Sequence, residues 1–310
     1  MNRAHAGLLL QLAVSVVLLA VLVRQVPLQD AGAAFRRVSP FTLIAAVALV
    51  MVGYLGRAQR WSMLLGRCGI SLSTRASYRL TLVGTLYGLV TPGRVGEFAR
   101  VLHLRGSRSA MLASVVWDRV ADVLILELLC VPAFVLVAAW RGPLLWAYLG
   151  LVAFTVAGVV LLGSPAAARL AGRVLPFLAA PASRWGDSSR SLLQGGASMA
   201  SFAWGGFFYV FMYGAAWLLL RDLAPGASPR LLLGLPVIPL LGNLPVALGG
   251  LGLREHVSAA VFRQFGAGAT IGAVFSLLLF GVSTLVPGLF GLLIAATPWA
   301  RAAADEGKAA

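Results

Sequence analysis

Thr91-Pro92-Gly93-Arg94-Val95-Gly96-Glu97-Phe98-Ala99-Arg100 is a short polar stretch in a chain that is otherwise strongly apolar. A related stretch, Pro245-Val246-Ala247-Leu248-Gly249-Gly250-Leu251-Gly252-Leu253-Arg254-Glu255, returns in the second half of the chain. Each passes from apolar sequence through Pro and Gly to an Arg and a Glu, and then into helix-compatible residues. Two such breaks in corresponding places are typical of transporters whose discontinuous helices meet near the bilayer midplane. We expect the helices to break at Pro92, Gly93, Gly96, Pro245, Gly249, Gly250 and Gly252.

The composition of the chain defines its broad class. Of its 310 residues 60% are hydrophobic and only 11% are charged, and the mean hydropathy is +0.90. Several apolar runs are longer than a buried core helix needs to be. The chain is therefore predicted to be an integral membrane protein, with no room for a second, soluble domain.

The charged residues are strongly biased towards arginine. The formal net charge is +15, and every one of the 25 cations is an arginine except Lys308. Most of them stand at the ends of apolar segments, where arginines anchor topology and meet anionic lipid head groups. We therefore expect membrane lipids as partners and no nucleic acid. The two cysteines, Cys68 and Cys130, are far apart and are expected to be packing residues.

The apolar runs predict six spanning helices and two hairpins that enter the membrane and return to the same side. The run 78–90 is too short to cross about 30 Å of hydrocarbon, and the run 231–248 contains Pro236, Pro239 and Pro245, which distort a helix. The predicted spans are 7–23, 41–56 with an interfacial continuation to 65, 111–139, 144–162, 197–220 and 267–296. The predicted hairpins are 78–104 and 231–265.

The distribution of arginines predicts the topology. With both hairpins returning to their side of entry, fifteen cations fall on the side of the N-terminus, and six fall on the other: Arg24, Arg36, Arg37, Arg141, Arg221 and Arg230. The positive-inside rule then places both termini in the cytoplasm of a multi-pass inner-membrane protein. The fold class that results is an all-α polytopic membrane protein with two inverted repeats, about 7–140 and 144–296. They form one transmembrane domain, 1–297, followed by a disordered cytoplasmic tail, 298–310.

The charges at the hairpin tips are candidate substrate-binding residues. Arg94 and Glu97 lie where a half-helix begins, a position that favours an anion. Arg94 could bind a phosphate, and Glu97 could bind a cationic group or a coupling proton. Arg254 and Glu255 repeat the pair at the second hairpin. The alternative is that each pair is an internal ion pair that holds the shape of its hairpin.

A second group of charges lies on the third predicted span. Asp118 and Asp122 share one helix face, Arg119 points to another and is expected to reach a different neighbour, and Arg100 precedes the group. Charges in a spanning helix are costly, so lipid-facing positions are unfavourable. These residues are candidates for substrate binding or for bracing the first hairpin. Glu127 is expected to face the protein interior.

Signatures of soluble enzymes are absent from the sequence. The three histidines are scattered, no Gly-x-Ser-x-Gly motif occurs, and a single lysine at position 308 rules out a Walker A loop, and with it ATP hydrolysis by this chain. We expect no cofactor and no metal. The Asp118 and Asp122 pair could hold Mg²⁺ for lipid-phosphate chemistry, which is a weak signal at this spacing.

Three motifs in order resemble the transmembrane domain of lysyl-phosphatidylglycerol synthases, also called the flippase-like family. They are Pro92-Gly93-Arg94-Val95-Gly96-Glu97 with Arg100, then Asp118-Arg119 with Asp122, then Leu244-Pro245 through Gly249-Gly250-Leu251-Gly252 to Arg254-Glu255. The resemblance implies movement of a lipid between leaflets, the lipid being a phospholipid, a polyprenyl-linked lipid or a hopanoid type. It also implies a stand-alone member, because no part of the chain resembles the soluble aminoacyl-transferase domain.

The sequence therefore predicts a lipid flippase rather than an enzyme. An anionic head group would meet Arg94 or Arg254, while Glu97, Asp118 and Glu255 balance the arginines or carry protons. Two alternatives stay open: a membrane-embedded enzyme that acts on lipid phosphates, and a non-catalytic membrane partner of a separately encoded lipid synthase.

Overall fold

The computed structural model describes residues 28–89, 91–104, 106–137, 140, 142–164, 197–242 and 250–297. Within these ranges every regular element is helical, which confirms the predicted all-α class. The predicted first span, 7–23, the tail 298–310, and the predicted breaks at Pro245 and Gly249 lie outside the described residues.

The described elements follow one another as eleven α-helices with two other helical segments. The α-helices are α1 (Leu28–Arg37), α2 (Pro40–Arg67), α3 (Thr74–Leu89), α4 (Arg108–Leu136), α5 (Pro143–Gly163), α6 (Ala197–Leu223), α7 (Leu231–Gly234), α8 (Val237–Gly242), α9 (Leu253–Gln264), α10 (Ala269–Phe280) and α11 (Val286–Ala295). A 3₁₀ helix, Pro92–His103, lies between α3 and α4, and a π-helix, Gly281–Leu285, joins α10 to α11.

Four helices are long and apolar enough to cross a membrane. They are Pro40–Arg67, Pro143–Leu161, Met199–Leu223 and Ala269–Ala295. They coincide with four of the predicted spans. The helix α4 matches a fifth in position and has 29 residues, but it carries a cluster of charges in its first half. A membrane protein with several apolar helices is therefore confirmed at this level.

The helix α2 continues without a break from Pro40 to Arg67, which agrees with the predicted span 41–56 and its continuation to 65. The continuation was expected at the membrane interface because it carries Arg57 and Arg60. Both arginines are buried because they meet carboxylates of α4, so they do not mark a helix end.

The first predicted hairpin is a short helix followed by a tight turn. The helix α3 has 16 residues, or about 24 Å of length, and the chain turns at Thr91 into the 3₁₀ helix. The Thr91 hydroxyl donates to the carbonyl of Tyr87 at 2.8 Å and accepts from the N–H of Gly96 at 2.6 Å. A Cβ at Gly96 would overlap the Tyr87 carbonyl, so the close approach at this turn requires glycine.

The second predicted hairpin is divided into short helices. The chain breaks between α7 and α8 at Leu235 and Pro236, in the run where prolines were expected to distort a helix. Beyond residues 243–249, Gly250 and Gly252 both have positive φ, 75° and 84°, the conformation that favours glycine. The helix α9 then begins at Leu253.

The described residues form two compact units, each built from three parts of the chain. The first unit takes residues from 28–53, 82–97 and 209–293, and the second takes residues from 54–81, 98–208 and 294–297. A core in the second unit is built from Trp61, Leu65, Leu80, Met111 and Val115 with their neighbours.

The two cysteines are packing residues, as the sequence predicted. The Cys68 thiol donates to the carbonyl of Ala110 at 3.6 Å, and burial raises the pKa of this thiol to about 11. Cys130 is fully buried.

Candidate functional site

Arg94 adopts an unusual backbone conformation at the tip of the first hairpin. Its φ is +58°, the only positive value among the described residues other than glycine. The left-handed region costs a residue with a Cβ about 1–2 kcal/mol, and residues held there cluster at functional sites. The surrounding turn, fixed by Thr91 and Gly96, holds Arg94 in this conformation.

The Arg94 side chain pairs with Glu97 and reaches the last long helix. Its Nε lies 3.4 Å from Glu97 Oε1, and its Nη2 lies 3.4 Å from the hydroxyl of Thr284. Thr284 belongs to the π-helix, a rare local geometry that is frequent at functional sites. The tip of the first hairpin therefore contacts the π-helix through Arg94.

Arg254 and Glu255 form the corresponding pair at the second hairpin. Arg254 Nη2 lies 3.3 Å from Glu255 Oε1, and its guanidinium lies over the Phe280 ring at 4.2 Å from the ring centre. Glu255 also accepts hydrogen bonds from the Gly252 N–H at 2.7 Å and from the Ser276 hydroxyl at 3.2 Å. The Glu255 carboxylate is thereby fixed to both the turn and α10.

The two pairs meet on the same helix within the first unit. Arg94 contacts Thr284 and Arg254 contacts Phe280, so their contacts lie about one turn apart. Each pair is formally neutral, but exposure is unequal. The side chains of Arg94 and Arg254 are 24% and 15% exposed, whereas those of Glu97 and Glu255 are 4% and 0% exposed. In each pair the arginine is therefore partly exposed, and the carboxylate is buried.

The Asp118 group lies in the second unit and forms a buried network with arginines. Arg60 Nε lies 2.7 Å from Asp118 Oδ1, and Arg60 Nη2 lies 2.6 Å from Asp122 Oδ1. Arg100 Nη2 lies 2.8 Å from Asp118 Oδ2, and Arg57 Nη2 lies 3.1 Å from Asp122 Oδ2. Each carboxylate oxygen therefore meets a guanidinium.

Arg119 joins the same network. It was expected to reach a different neighbour, but its Nη2 lies 3.4 Å from Asp118 Oδ2 and its Nη1 lies 3.3 Å from Asp122 Oδ2. The flexible side chain folds back along α4, so the direction of its Cβ did not decide its partners.

Aromatic faces and one glycine complete this network. The Arg57 guanidinium lies 5.1 Å from the centre of the Phe208 ring, and that of Arg100 lies 4.0 Å from the centre of the Trp61 ring. Aromatic faces attract desolvated cations. A Cβ at Gly205 would lie 2.8 Å from Arg60 Nη1, so glycine allows α6 to approach the guanidinium closely.

Sequence reasoning missed Arg57 and Arg60 as members of this network. The available signal was their spacing: two arginines three residues apart on α2 are complementary to two aspartates four residues apart on α4. The sequence placed these arginines at the membrane surface because arginines at the end of an apolar run usually mark it.

Glu127 is buried, as predicted, with an exposed fraction of 3%. Its Oε1 accepts a hydrogen bond from the Thr155 hydroxyl at 2.7 Å, and its backbone carbonyl accepts one from the Tyr148 hydroxyl at 2.7 Å. Both donors belong to α5, so Glu127 links α4 to that helix.

Four helices of membrane-spanning length, in a chain whose described regular elements are all helical, define a helical membrane protein. The chain belongs to the family described as the lysylphosphatidylglycerol synthase TM region, which it matches over residues 8–291. No curated protein and no solved structure matches the chain.

Proposed function

We propose that the protein is a lipid flippase of the inner membrane, which moves an anionic or modified lipid between leaflets. The observation that carries this proposal is that two Arg-Glu pairs contact one helix, with the arginines partly exposed and the carboxylates buried. Polar groups at such a position in a membrane protein are a substrate-site hypothesis by default. Membership of the family supports the same function.

In the proposed mechanism the phosphate of the head group contacts Arg94 or Arg254. Each guanidinium is already oriented, Arg94 by Glu97 and Thr284, and Arg254 by Glu255 and Phe280. A guanidinium can donate two parallel hydrogen bonds to a phosphate. The lipid tails stay in the bilayer while the head group crosses.

The buried carboxylates keep the site neutral when no lipid is bound. Removing a single partner from a buried ion pair costs about 3–5 kcal/mol because the other charge is left uncompensated. When a phosphate binds an arginine, the corresponding glutamate becomes a surplus negative charge. Glu97 and Glu255 are therefore the groups we propose to take up a proton or a cationic part of the lipid.

Of the two alternatives, the metal-dependent lipid-phosphate enzyme is the less favoured. The oxygens of Asp118 and Asp122 that Mg²⁺ would use each lie within 3.1 Å of a guanidinium. Arginine partners favour a role of the aspartates in an ion-pair network over one as metal ligands.

The test compares the wild type with the double variant Arg94→Ala/Arg254→Ala. Native mass spectrometry of protein purified in mild detergent should show one anionic lipid class enriched in the wild type and lost in the variant. That lipid is then tested for translocation in liposomes, where the variant should be slower by tenfold or more. The matched control is Arg230→Ala/Arg263→Ala, which removes two exposed arginines of the same unit.

Two results would contradict the proposal. One is retention of the same unselective lipid mixture by all three proteins. The other is full biological activity of the Arg94→Ala/Arg254→Ala variant, which would point instead to a non-catalytic partner of a separate lipid synthase. A covalent change in the lipid would point to an enzyme.

A further inference from the structure

The described residues of the second unit carry a net positive charge, which is slightly larger than that of the described residues of the first. Those of the second unit include eight arginines, but only three carboxylates: Asp118, Asp122 and Glu127. The arginines are Arg57, Arg60, Arg67, Arg75, Arg79, Arg100, Arg108 and Arg119. Positive groups lying in or near a low-dielectric environment attract anions strongly, because water screens them less.

The buried network places four arginines around two carboxylates, and Asp118 and Asp122 each meet three guanidiniums. Asp122 meets three guanidiniums: Arg60 at Oδ1, and Arg57 and Arg119 together at Oδ2. Arg60 Nη1 is buried without a hydrogen-bond partner among the described residues. We call Arg57, Arg60, Arg119 and Asp122 the arginine cluster.

The arginine cluster has a closed side and an accessible edge. Arg60 and Asp118 have fully buried side chains, whereas 26% of the Arg119 side chain and 12% of the Asp122 side chain are exposed. Arg57 and Arg119 share a single oxygen of Asp122, at 3.1 Å and 3.3 Å. Their guanidiniums are therefore held close together by one shared acceptor.

We infer that the accessible edge of the arginine cluster is a second binding site, for a phosphate-bearing anion. Arg119, which is the more exposed of the two, contacts the phosphate, and Arg57 supports it through the Asp122 oxygen that they share. A planar guanidinium matches two phosphate oxygens, and Asp122 keeps both arginines oriented when the site is empty. This inference does not rest on the proposed function, whose arginines belong to the first unit.

The phosphate can come from a lipid head group or from a free anion, and two probes separate these sources. The first probe is phosphatidylglycerol, titrated into the detergent-solubilised full chain and followed by native mass spectrometry. The second is inorganic phosphate, followed by ³¹P line broadening and by competition with the lipid. Both are measured in the Arg94→Ala/Arg254→Ala background, so that the first site does not contribute.

The decisive variant is Arg119→Gln, with Arg75→Gln as the matched control. Arg75 is an exposed arginine of the same unit. We expect Arg119→Gln to weaken binding by tenfold or more, as for loss of a charge-assisted bidentate contact, and Arg75→Gln to leave it unchanged. Arg119→Lys keeps the charge without the planar fork, and we expect it to weaken binding at least threefold.

Each outcome decides the inference. Lipid binding without competition by phosphate identifies a lipid head group, and competition identifies a free anion. Equal binding by Arg119→Gln and its parent, or equal losses in Arg119→Gln and Arg75→Gln, would overturn the inference. If Arg119→Gln does not fold, undiminished binding by Arg119→Lys would overturn it instead.

Discussion

Arg94 combines a charge that the proposed function needs with a backbone conformation that disfavours its side chain. Its φ of +58° lies in the left-handed region, where glycine would be the usual choice. The same turn uses glycine at Gly96, where close backbone approach leaves no room for a Cβ. An arginine at position 94 therefore costs stability that its function would explain.

This reading predicts a difference between two variants that both remove the charge. Arg94→Gly should be more stable than Arg94→Gln by about 1 kcal/mol, since only glycine removes the left-handed strain, while both should lose lipid translocation. The measurement is chemical unfolding in detergent. The controls are Arg263→Gly and Arg263→Gln, in the last turn of α9. There the glycine variant should be the less stable of the two, because glycine disfavours a helix. Equal stability of the two position-94 variants would remove the argument from strain.

At this scale the sequence identified charged residues better than it identified their partners. The pairs Arg94 with Glu97 and Arg254 with Glu255 were predictable because their members are close in the chain. The partners of Asp118 and Asp122 on α2 were not, because they lie 58 to 65 residues away. The hydropathy around Arg57 and Arg60 depends only on residues that are near them in the sequence. Their buried salt bridges depend on residues that are far away in the sequence.

Small residues set how closely the helices of the first unit approach. A Cβ at Gly291 in α11 would overlap the backbone carbonyl of Leu82 in α3, and one at Gly288 would overlap the Leu89 side chain. Membrane helices use glycine at such interfaces, where packing rather than the hydrophobic effect holds them together.

Gly291→Ala is therefore expected to destabilise the protein by about 1–3 kcal/mol, because a backbone atom has to move to admit the methyl group. Gly150→Ala on α5 is the control: no atom lies within 4 Å of its added Cβ, and alanine favours a helix by up to about 1 kcal/mol. The midpoints of thermal unfolding of both variants measure this. Equal changes in the midpoints of thermal unfolding for Gly291→Ala and Gly150→Ala would contradict the tight contact at Gly291.

The sequence predicted where the elements break better than it predicted their geometry. Thr91-Pro92-Gly93 marked the end of α3, and Pro236, which was expected only to distort a helix, lies at the break between α7 and α8. The form of the following segment, a 3₁₀ helix from Pro92 to His103, was not predictable, because residue types favour α and 3₁₀ helices alike. The four described apolar spans were predictable since length and hydropathy alone define them.

At the scale of the whole molecule, each of the two units combines separate segments of the chain, and the repeated motifs of the sequence do not predict which segments belong together. Each unit takes residues from both halves of the sequence, and α2 and α6 each contribute to both. The boundaries within these helices fall at Gly53 and Phe208. The units are defined by contacts between segments that are distant in the sequence. The pattern of apolar runs does not predict these contacts.

The arginine distribution predicts that both termini lie in the cytoplasm. A green fluorescent protein fused after Ala310 should fluoresce, and alkaline phosphatase fused at the same position should be inactive. The matched control is a pair of fusions after Arg141, which was predicted on the opposite side and should behave in the reverse way. An active phosphatase at the C-terminus would overturn the predicted topology.

The 3₁₀ helix Pro92–His103 is longer than an α-helix of the same residues would be. Its twelve residues span about 24 Å at the 3₁₀ rise of about 2.0 Å per residue, but would span about 18 Å as an α-helix. One portion, up to Glu97, belongs to the first unit, and the rest, from Phe98, belongs to the second. Rewound as an α-helix, the same twelve residues would be about 6 Å shorter.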